Sequence, residues 1–276
     1  MRLWIIMVVV LLLAACSASG DATSEGKSEE ETDKKEGTTE KKEDEQKNED
    51  EVKGTEDIEK EEKKKVTEPH YKIQEDWSFS PINEETSKVA LLTIDDAPDE
   101  HAVEMAEKLK KKDAPAIFFV NGHFLDTPEE AEMLKKIHEM GFPIGNHTQT
   151  HASLPDLTEK EQKEEIVGLN DRIEEIIGER PDFFRAPFGQ NTEYSKQLVQ
   201  EEGMLLMNWT YGYDWNEEYT NAESLADIMV NTPLLRDGAN LLMHDREWTN
   251  NALKDIVTGL RDKGYTLLDP EKIKHP

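Results

Sequence analysis

The 276-residue sequence has a single cysteine, Cys16, and far fewer basic than acidic residues. One cysteine excludes an intramolecular disulfide. Lysine and arginine total 33 against 61 aspartate and glutamate residues, which gives a formal net charge of −28. Because proteins bind nucleic acids mainly through basic patches, this balance argues against a nucleic-acid partner.

Long hydrophobic runs are also scarce. The apolar stretch at residues 3–13 is too short to span a bilayer comfortably. It follows Arg2 and ends in Leu13-Ala-Ala-Cys16, which resembles a bacterial lipoprotein signal with cleavage before the cysteine. The resemblance implies a signal peptide at 1–15 and lipid on Cys16. The protein is then expected on the extracytoplasmic face of the cell membrane, held by the lipid.

Residues 16–70 predict a linker rather than a domain. The segment is rich in Lys and Glu and has very few large aliphatic residues. Such a composition cannot bury enough apolar surface to offset its ordering entropy, so we expect a disordered, charged tether. Residues 71–276 are long enough for one domain with its own core, which we place at about 86–270.

Strand and helix patterns alternate along this domain. We predict strands at 89–94, 116–120, 142–145, 183–185, 205–210, 241–244 and 266–268. We predict helices at 100–112, 128–140, 158–177, 192–202, 222–230 and 250–263. Repeated strand–helix units indicate an α/β fold with a mainly parallel sheet.

The most informative motifs are Asp95-Asp96 and a His147-x-x-x-His151 pair, each predicted at the end of an apolar strand. One carboxylate and two imidazoles would leave a fourth metal position free for water, as in hydrolytic zinc sites. The second aspartate would supply a base beside that water. If the segment after Asn146 turns helically, the two histidines share a face.

Each motif alone also has an ordinary explanation. An Asp-Asp pair before Ala97-Pro98 is often a turn or a helix cap, and an H-x-x-x-H pair often lies on the surface. Their joint placement at strand ends favours a metal site.

Three later segments suit the same site: Phe184-Arg185, Asp214-Trp215 and the predicted strand that ends at His244. Arg185 offers a cation to a carboxylate, and Asp214 places an acid next to a large ring. Taken singly, His244 fits a capped strand end and Trp215 fits core packing.

The ordered set D-D, H-x-x-x-H, R-x-P-x-G, D-W and L-x-H resembles the polysaccharide deacetylases, carbohydrate esterase family 4. The resemblance implies a distorted (β/α) barrel with fewer than eight regular units. It assigns a divalent metal, zinc with cobalt or manganese as alternatives, to three ligands: Asp96, His147 and His151.

The same resemblance implies the remaining roles. Asp95 would be the general base, held by Arg185, and His244 the general acid, oriented and tuned by Asp214. Trp215 and Phe188 would line the sugar site, and the Phe188 backbone N–H would complete the oxyanion site.

The sequence departs from the family pattern at three positions: Ala97, Phe188 and Tyr211. Ala97 replaces the usual glycine, and it would be strained if its φ were positive. Phe188 replaces a common tyrosine, and Tyr211 replaces an extra aspartate. The three changes affect the expected rate and substrate choice more than the reaction type.

The resemblance implies a metal-dependent hydrolase that removes N-acetyl groups from a β-1,4-linked glycan. The lipoprotein-like N-terminus narrows the substrate to peptidoglycan and leaves N-acetylglucosamine and N-acetylmuramic acid open. The alternatives are an O-acetyl polysaccharide esterase and a catalytically weak wall-binding lipoprotein. We expect a monomer.

Overall fold

The computed structural model describes residues 68–276. The predicted signal peptide, Cys16 and the linker up to residue 67 lie outside the described residues. Within residues 68–276, no helix combines the length and hydropathy that a membrane span requires. The described chain opens with an antiparallel pair that the sequence patterns did not predict, β1 (Tyr71–Ile73) and β2 (Phe79–Pro81).

Eight further strands form one sheet, and six α-helices connect them. The strands are β3 (Val89–Ala97), β4 (Ile117–Val120), β5 (Ile144–Asn146), β6 (Phe183–Phe184), β7 (Leu205–Leu206), β8 (Tyr211–Gly212), β9 (Ala239–His244) and β10 (Thr266–Leu267). The helices are α1 (Ala102–Lys111), α2 (Pro128–Glu139), α3 (Glu159–Ile177), α4 (Glu193–Glu201), α5 (Ala222–Asn231) and α6 (Glu247–Asp262).

All pairings in the large sheet are parallel, and the strand order is β7-β6-β5-β4-β3-β9-β8, with β10 beside β3. Successive strands β7 and β8 lie at opposite edges, and within the described residues they do not pair. The sheet is therefore a curled half-barrel, which confirms the predicted distorted (β/α) barrel.

The predicted strand at 205–210 is wrong after Leu206, because β7 ends there and the next strand, β8, begins only at Tyr211. Between these two strands, the Asn208 carbonyl oxygen accepts hydrogen bonds from the side chains of Arg185 and Asn240, at 2.9 Å each. This carbonyl is therefore hydrogen-bonded to side chains, not to the backbone of a neighbouring strand.

The central strand β3 explains how the core positions the site. All of its residues are buried except Asp96, as expected for a parallel strand covered on both faces. Leu92 and Ile94 belong to the core under the helices, whereas Leu91 packs on the other face with Phe119. Burial on both faces fixes the register of β3. Its two aspartates, near its carboxyl end, are the residues of this strand that line a cavity at the carboxyl ends of the strands.

Candidate active site at the carboxyl ends of the strands

A cavity of about 390 Å³ opens at the carboxyl ends of β3, β5 and β9. It is lined by Asp95, Asp96, His147, His151, Phe188, Trp209, Asp214, Trp215, Leu242, His244, Arg246 and Trp248. Eight of the predicted site residues therefore meet in one cavity, and Arg185 lies buried behind Asp95. The sequence patterns missed the other four lining residues: Trp209, Leu242, Arg246 and Trp248.

The adjacent aspartates point to different partners because the backbone bends between them. Asp96 has φ 59°, in the left-handed region, where Asp is among the more tolerated residues. The register of β3 against β4 shifts between Ile94 and Ala97. Ala97 is not among the described residues with positive φ, and its side chain is fully buried. The bend therefore falls on Asp96, and alanine at position 97 is not strained.

Asp96, His147 and His151 each offer one donor atom, and the three atoms lie within 4.8 Å of one another. Asp96 Oδ1 is 4.0 Å from His147 Nε2 and 3.7 Å from His151 Nε2. Donor atoms on a tetrahedral zinc ion lie about 3.3 Å apart, so a small contraction of the trio suffices. The donor set fits a divalent metal.

Electrostatics favour the ligand forms of two of these groups. Burial and the neighbouring His147 lower the pKa of His151 below its usual value. The nearby aspartates raise this pKa, but by less. Burial raises the pKa of Asp96, but the surrounding histidines and Arg246 lower it further than burial raises it. Both shifts favour the neutral imidazole and the ionised carboxylate that bind metals.

The tautomer of His147 follows from a backbone contact. Its Nδ1 lies 2.7 Å from the Arg185 carbonyl oxygen, which can only accept a hydrogen bond. Nδ1 therefore carries the proton, and the lone pair of Nε2 is left for a metal.

His151 lies on a loop, so the condition of a helical turn after Asn146 is not met. Thr148 and His151 have φ values of 69° and 58°, which break a right-handed helix. Asn146 Oδ1 accepts from Thr148 N–H at 2.8 Å. The Glu165 carboxylate, on α3, accepts from the Thr150 N–H at 2.8 Å and its hydroxyl at 2.6 Å. These hydrogen bonds replace the missing helical ones.

Asp95 is held by Arg185, and both side chains are almost completely buried. Arg185 Nη1 donates to Asp95 Oδ1 at 2.6 Å and to Thr93 Oγ1 at 2.8 Å. The other carboxylate oxygen, Oδ2, faces His147 Nε2 at 3.6 Å. One oxygen of Asp95 is thus committed to the arginine and the other faces the metal trio.

Asp214 accepts two hydrogen bonds from His244. His244 Nδ1 donates to Asp214 Oδ1 at 2.8 Å, and the His244 backbone N–H donates to Oδ2 at 2.6 Å. The Thr249 hydroxyl also donates to Oδ2, at 2.8 Å. Burial lowers the pKa of His244, but the hydrogen bond and charge of Asp214, with the other aspartates, raise it above its usual value. His244 is therefore suited to carry a proton.

Comparison with known proteins places this site in a family. A family model for polysaccharide deacetylases matches residues 82–207. A peptidoglycan-N-acetylglucosamine deacetylase from Bacillus cereus is 30% identical, over 67% of this chain and 70% of its own length. The structure of peptidoglycan deacetylase PdaC from Bacillus subtilis is similar with a TM-score of 0.60 and 30% identity, over 67% of this chain and 89% of that chain. This chain belongs to the polysaccharide deacetylase family.

Polysaccharide deacetylases of carbohydrate esterase family 4 are metalloenzymes, in agreement with the Asp96/His147/His151 donor set. One structural relative is nevertheless described as a pseudoenzyme. A family 4 pseudoenzyme from Bacillus anthracis matches with a TM-score of 0.61 and 25% identity, over 68% of this chain and 66% of that chain. The chain spans 51% and 39% of the length of two other curated relatives.

Aromatic rings form part of the cavity wall. Phe188 is 62% exposed and its ring lies edge-on to His151, with centroids 4.9 Å apart. Trp215 is 49% exposed and contacts His244 edge-on at 5.5 Å. Exposed rings beside buried polar groups are typical of a binding surface.

Tyr211 does not line the cavity. It is buried in the core, and its hydroxyl donates to the Met229 carbonyl oxygen at 2.7 Å. The tyrosine in place of the family's extra aspartate therefore anchors β8 to α5 and leaves the cavity's ionisable groups in place.

Proposed function

We propose that the protein is a metal-dependent N-deacetylase acting on a β-1,4-linked cell-envelope glycan, namely peptidoglycan. One observation carries the proposal. The three metal-donor atoms line a single cavity together with Asp95, which is hydrogen-bonded to Arg185, and His244, which is hydrogen-bonded to Asp214. The peptidoglycan deacetylases among the relatives support the substrate class.

A bound divalent metal, zinc in the first instance, would polarise the acetamide carbonyl and make water a nucleophile at neutral pH. Asp95 would take the proton from that water through Oδ2, the oxygen that faces the metal trio. Arg185 donates to Oδ1 and so fixes the orientation of the base, leaving Oδ2 toward the metal trio.

On the other side of the cavity, His244 would protonate the departing amine through Nε2. Its Nδ1 is committed to Asp214, which sets the tautomer and stabilises the imidazolium. The backbone N–H of Phe188 would donate to the oxyanion of the tetrahedral intermediate. Phe188 and Trp215 would hold the sugar rings.

We also propose that Cys16 carries a lipid that holds the enzyme on the extracytoplasmic face of the membrane, where peptidoglycan is within reach. The Leu13-Ala-Ala-Cys16 sequence supports this location. The same cavity would serve an O-acetyl esterase, because attack on an ester needs the same base and metal. A non-catalytic wall-binding role is favoured by the pseudoenzyme relative and opposed by the full set of donors and proton-transfer groups here.

Acetate release tests the proposal. The purified protein should be loaded with zinc and offered intact peptidoglycan, chitin oligomers and O-acetylated xylan. Zinc-dependent acetate release, fastest from peptidoglycan and abolished by a chelator, is expected, with His244→Ala as the inactive control. Faster release from xylan would favour the esterase, and release from none of the three would refute catalysis.

A further inference from the structure

Arg246 lies two residues beyond His244 and lines the cavity. Its Nη2 donates to Asp96 Oδ2 at 2.9 Å. The other oxygen, Oδ1, is the one that faces His147 and His151. The two oxygens of Asp96 are thus divided between the arginine and the histidine pair.

The guanidinium is itself held in place. Arg246 Nη1 donates to the Asp245 carbonyl oxygen at 3.0 Å and lies 3.8 Å from Asp99 Oδ2. The Asp245 carboxylate in turn accepts from the backbone N–H groups of Asp99 and Ala102, both at 2.8 Å. The segment that follows Asp96 is therefore tied to the segment that carries Arg246.

We infer that Arg246 is a positioning residue that makes Asp96 a one-oxygen metal ligand through Oδ1. The inference rests on the metal site of the proposed function. A carboxylate without such a partner can rotate and offer either oxygen or both. Hydrogen-bonding partners of metal ligands typically contribute 10- to 100-fold in metal affinity or activity.

A second effect of Arg246 acts in the opposite direction. A cation close to a metal site repels the metal, so the loss of its charge alone would tighten binding. The carboxylates of Asp96 and Asp99 on either side of the guanidinium offset that charge. Positioning should therefore dominate, and the direction of the change in affinity distinguishes the two effects.

The test measures zinc binding to metal-free protein by competition with a chelator of known affinity. Arg246→Met should bind zinc about 10- to 100-fold more weakly than the wild type. The matched control is Arg236→Met. Arg236 makes a similar contact with Asp76, at 2.7 Å, but both side chains are about half exposed and neither lines the cavity. This control should bind zinc like the wild type.

Arg246→Lys separates geometry from charge, and it serves as well if Arg246→Met does not fold. Lysine keeps the charge but lacks the planar fork that reaches Asp96 and the Asp245 carbonyl together. Because an ammonium can still donate one hydrogen bond to Asp96, this variant should bind zinc more weakly than the wild type and more tightly than Arg246→Met. Unchanged or tighter zinc binding in either folded variant would overturn the inference.

Failure of the proposed function would look different. If the wild type binds zinc, the variants weaken binding as expected, but no acetate is released, the inference stands and the deacetylase proposal falls.

Discussion

The two halves of the cavity are built in different ways. In the metal half, Asp96 and His151 stand on left-handed backbone bends, with φ values of 59° and 58°. In the proton-transfer half, Asp95 on β3 and His244 on β9 face each other in the pairing of these two strands, and buried partners hydrogen-bond to them at 2.6 and 2.8 Å. The first half depends on positive φ at Asp96, near the end of β3, and at His151, on a loop, whereas the second depends on ionic hydrogen bonds.

The separations within each half show what this difference means. Asp96 Oδ1 lies 3.7 Å or more from the histidine nitrogens, which is beyond hydrogen-bond distance. The donor atoms of the metal half therefore remain available to an ion. The proton-transfer groups Asp95 and His244 are already hydrogen-bonded, to Arg185 and Asp214. Changes in the metal half should therefore remove metal and activity together. Changes in the other half should lower activity and leave the metal bound.

The largest effect is expected from His147→Ala. The change removes one of three donors, so zinc content should fall well below one equivalent and acetate release should fall to background. Metal analysis and an acetate assay of the same preparation check both. His138→Ala, on α2 and outside the cavity, is the control and should keep both properties. Full zinc content in His147→Ala would remove His147 from the ligand set.

Asp214→Asn probes the proton-transfer half. Because the hydrogen bond and charge of Asp214 raise the pKa of His244, the substitution should lower that pKa. His244 then loses its proton at lower pH, so the alkaline limb of the pH–rate profile should move to lower pH. We expect kcat to fall by about 10²–10⁴ with zinc content unchanged.

The exposed Asp227, on α5, provides the control as Asp227→Asn. Its pH profile should match that of the wild type. An unmoved alkaline limb in Asp214→Asn would show that His244 is not the acid.

Glu165→Ala tests whether the loop of the metal half depends on α3. The variant loses both hydrogen bonds to Thr150, so His151 should be less well placed and zinc affinity should fall about tenfold. Glu164→Ala changes the exposed neighbour and should have no effect. Equal zinc affinities would show that the loop needs no support from Glu165.

Cys16→Ser should change neither half of the cavity. Acetate release by the purified protein should be unaltered, but the protein should lose its lipid and appear uncleaved or released from the membrane fraction. Mass spectrometry and fractionation measure this. A wild-type protein without lipid on Cys16 would refute the proposed anchor.

Much of this arrangement could be read from the sequence because strand ends carry its polar motifs. Hydrophobic runs located β3, β4 and β9, and the predicted helix at 158–177 is present and begins with a capping box in which Thr158 and Glu161 are bonded reciprocally. The motifs predicted one aspartate and two histidines as metal donors, and the family resemblance selected Asp96 as the carboxylate ligand. Those features depend on local sequence, so local patterns were sufficient.

Other features depend on contacts between distant residues. The histidine pair does not share a helical face, because Glu165 and Asn146 stabilise a loop there. Arg246 was missed because one arginine after a histidine has no pattern of its own. Its role emerges only when β9 is paired with β3, which brings it to Asp96 across 150 residues of sequence.

The adjacent aspartates test the division of the cavity most directly, since Asp95→Asn and Asp96→Asn make the same chemical change one residue apart. Zinc content and acetate release should be measured on both. Asp95→Asn should keep about one zinc ion per protein, and its kcat should fall by about 10²- to 10⁴-fold, because only the base is removed. Asp96→Asn should lose zinc and activity together. If Asp95→Asn empties the site and Asp96→Asn does not, the two roles are exchanged and the account is contradicted.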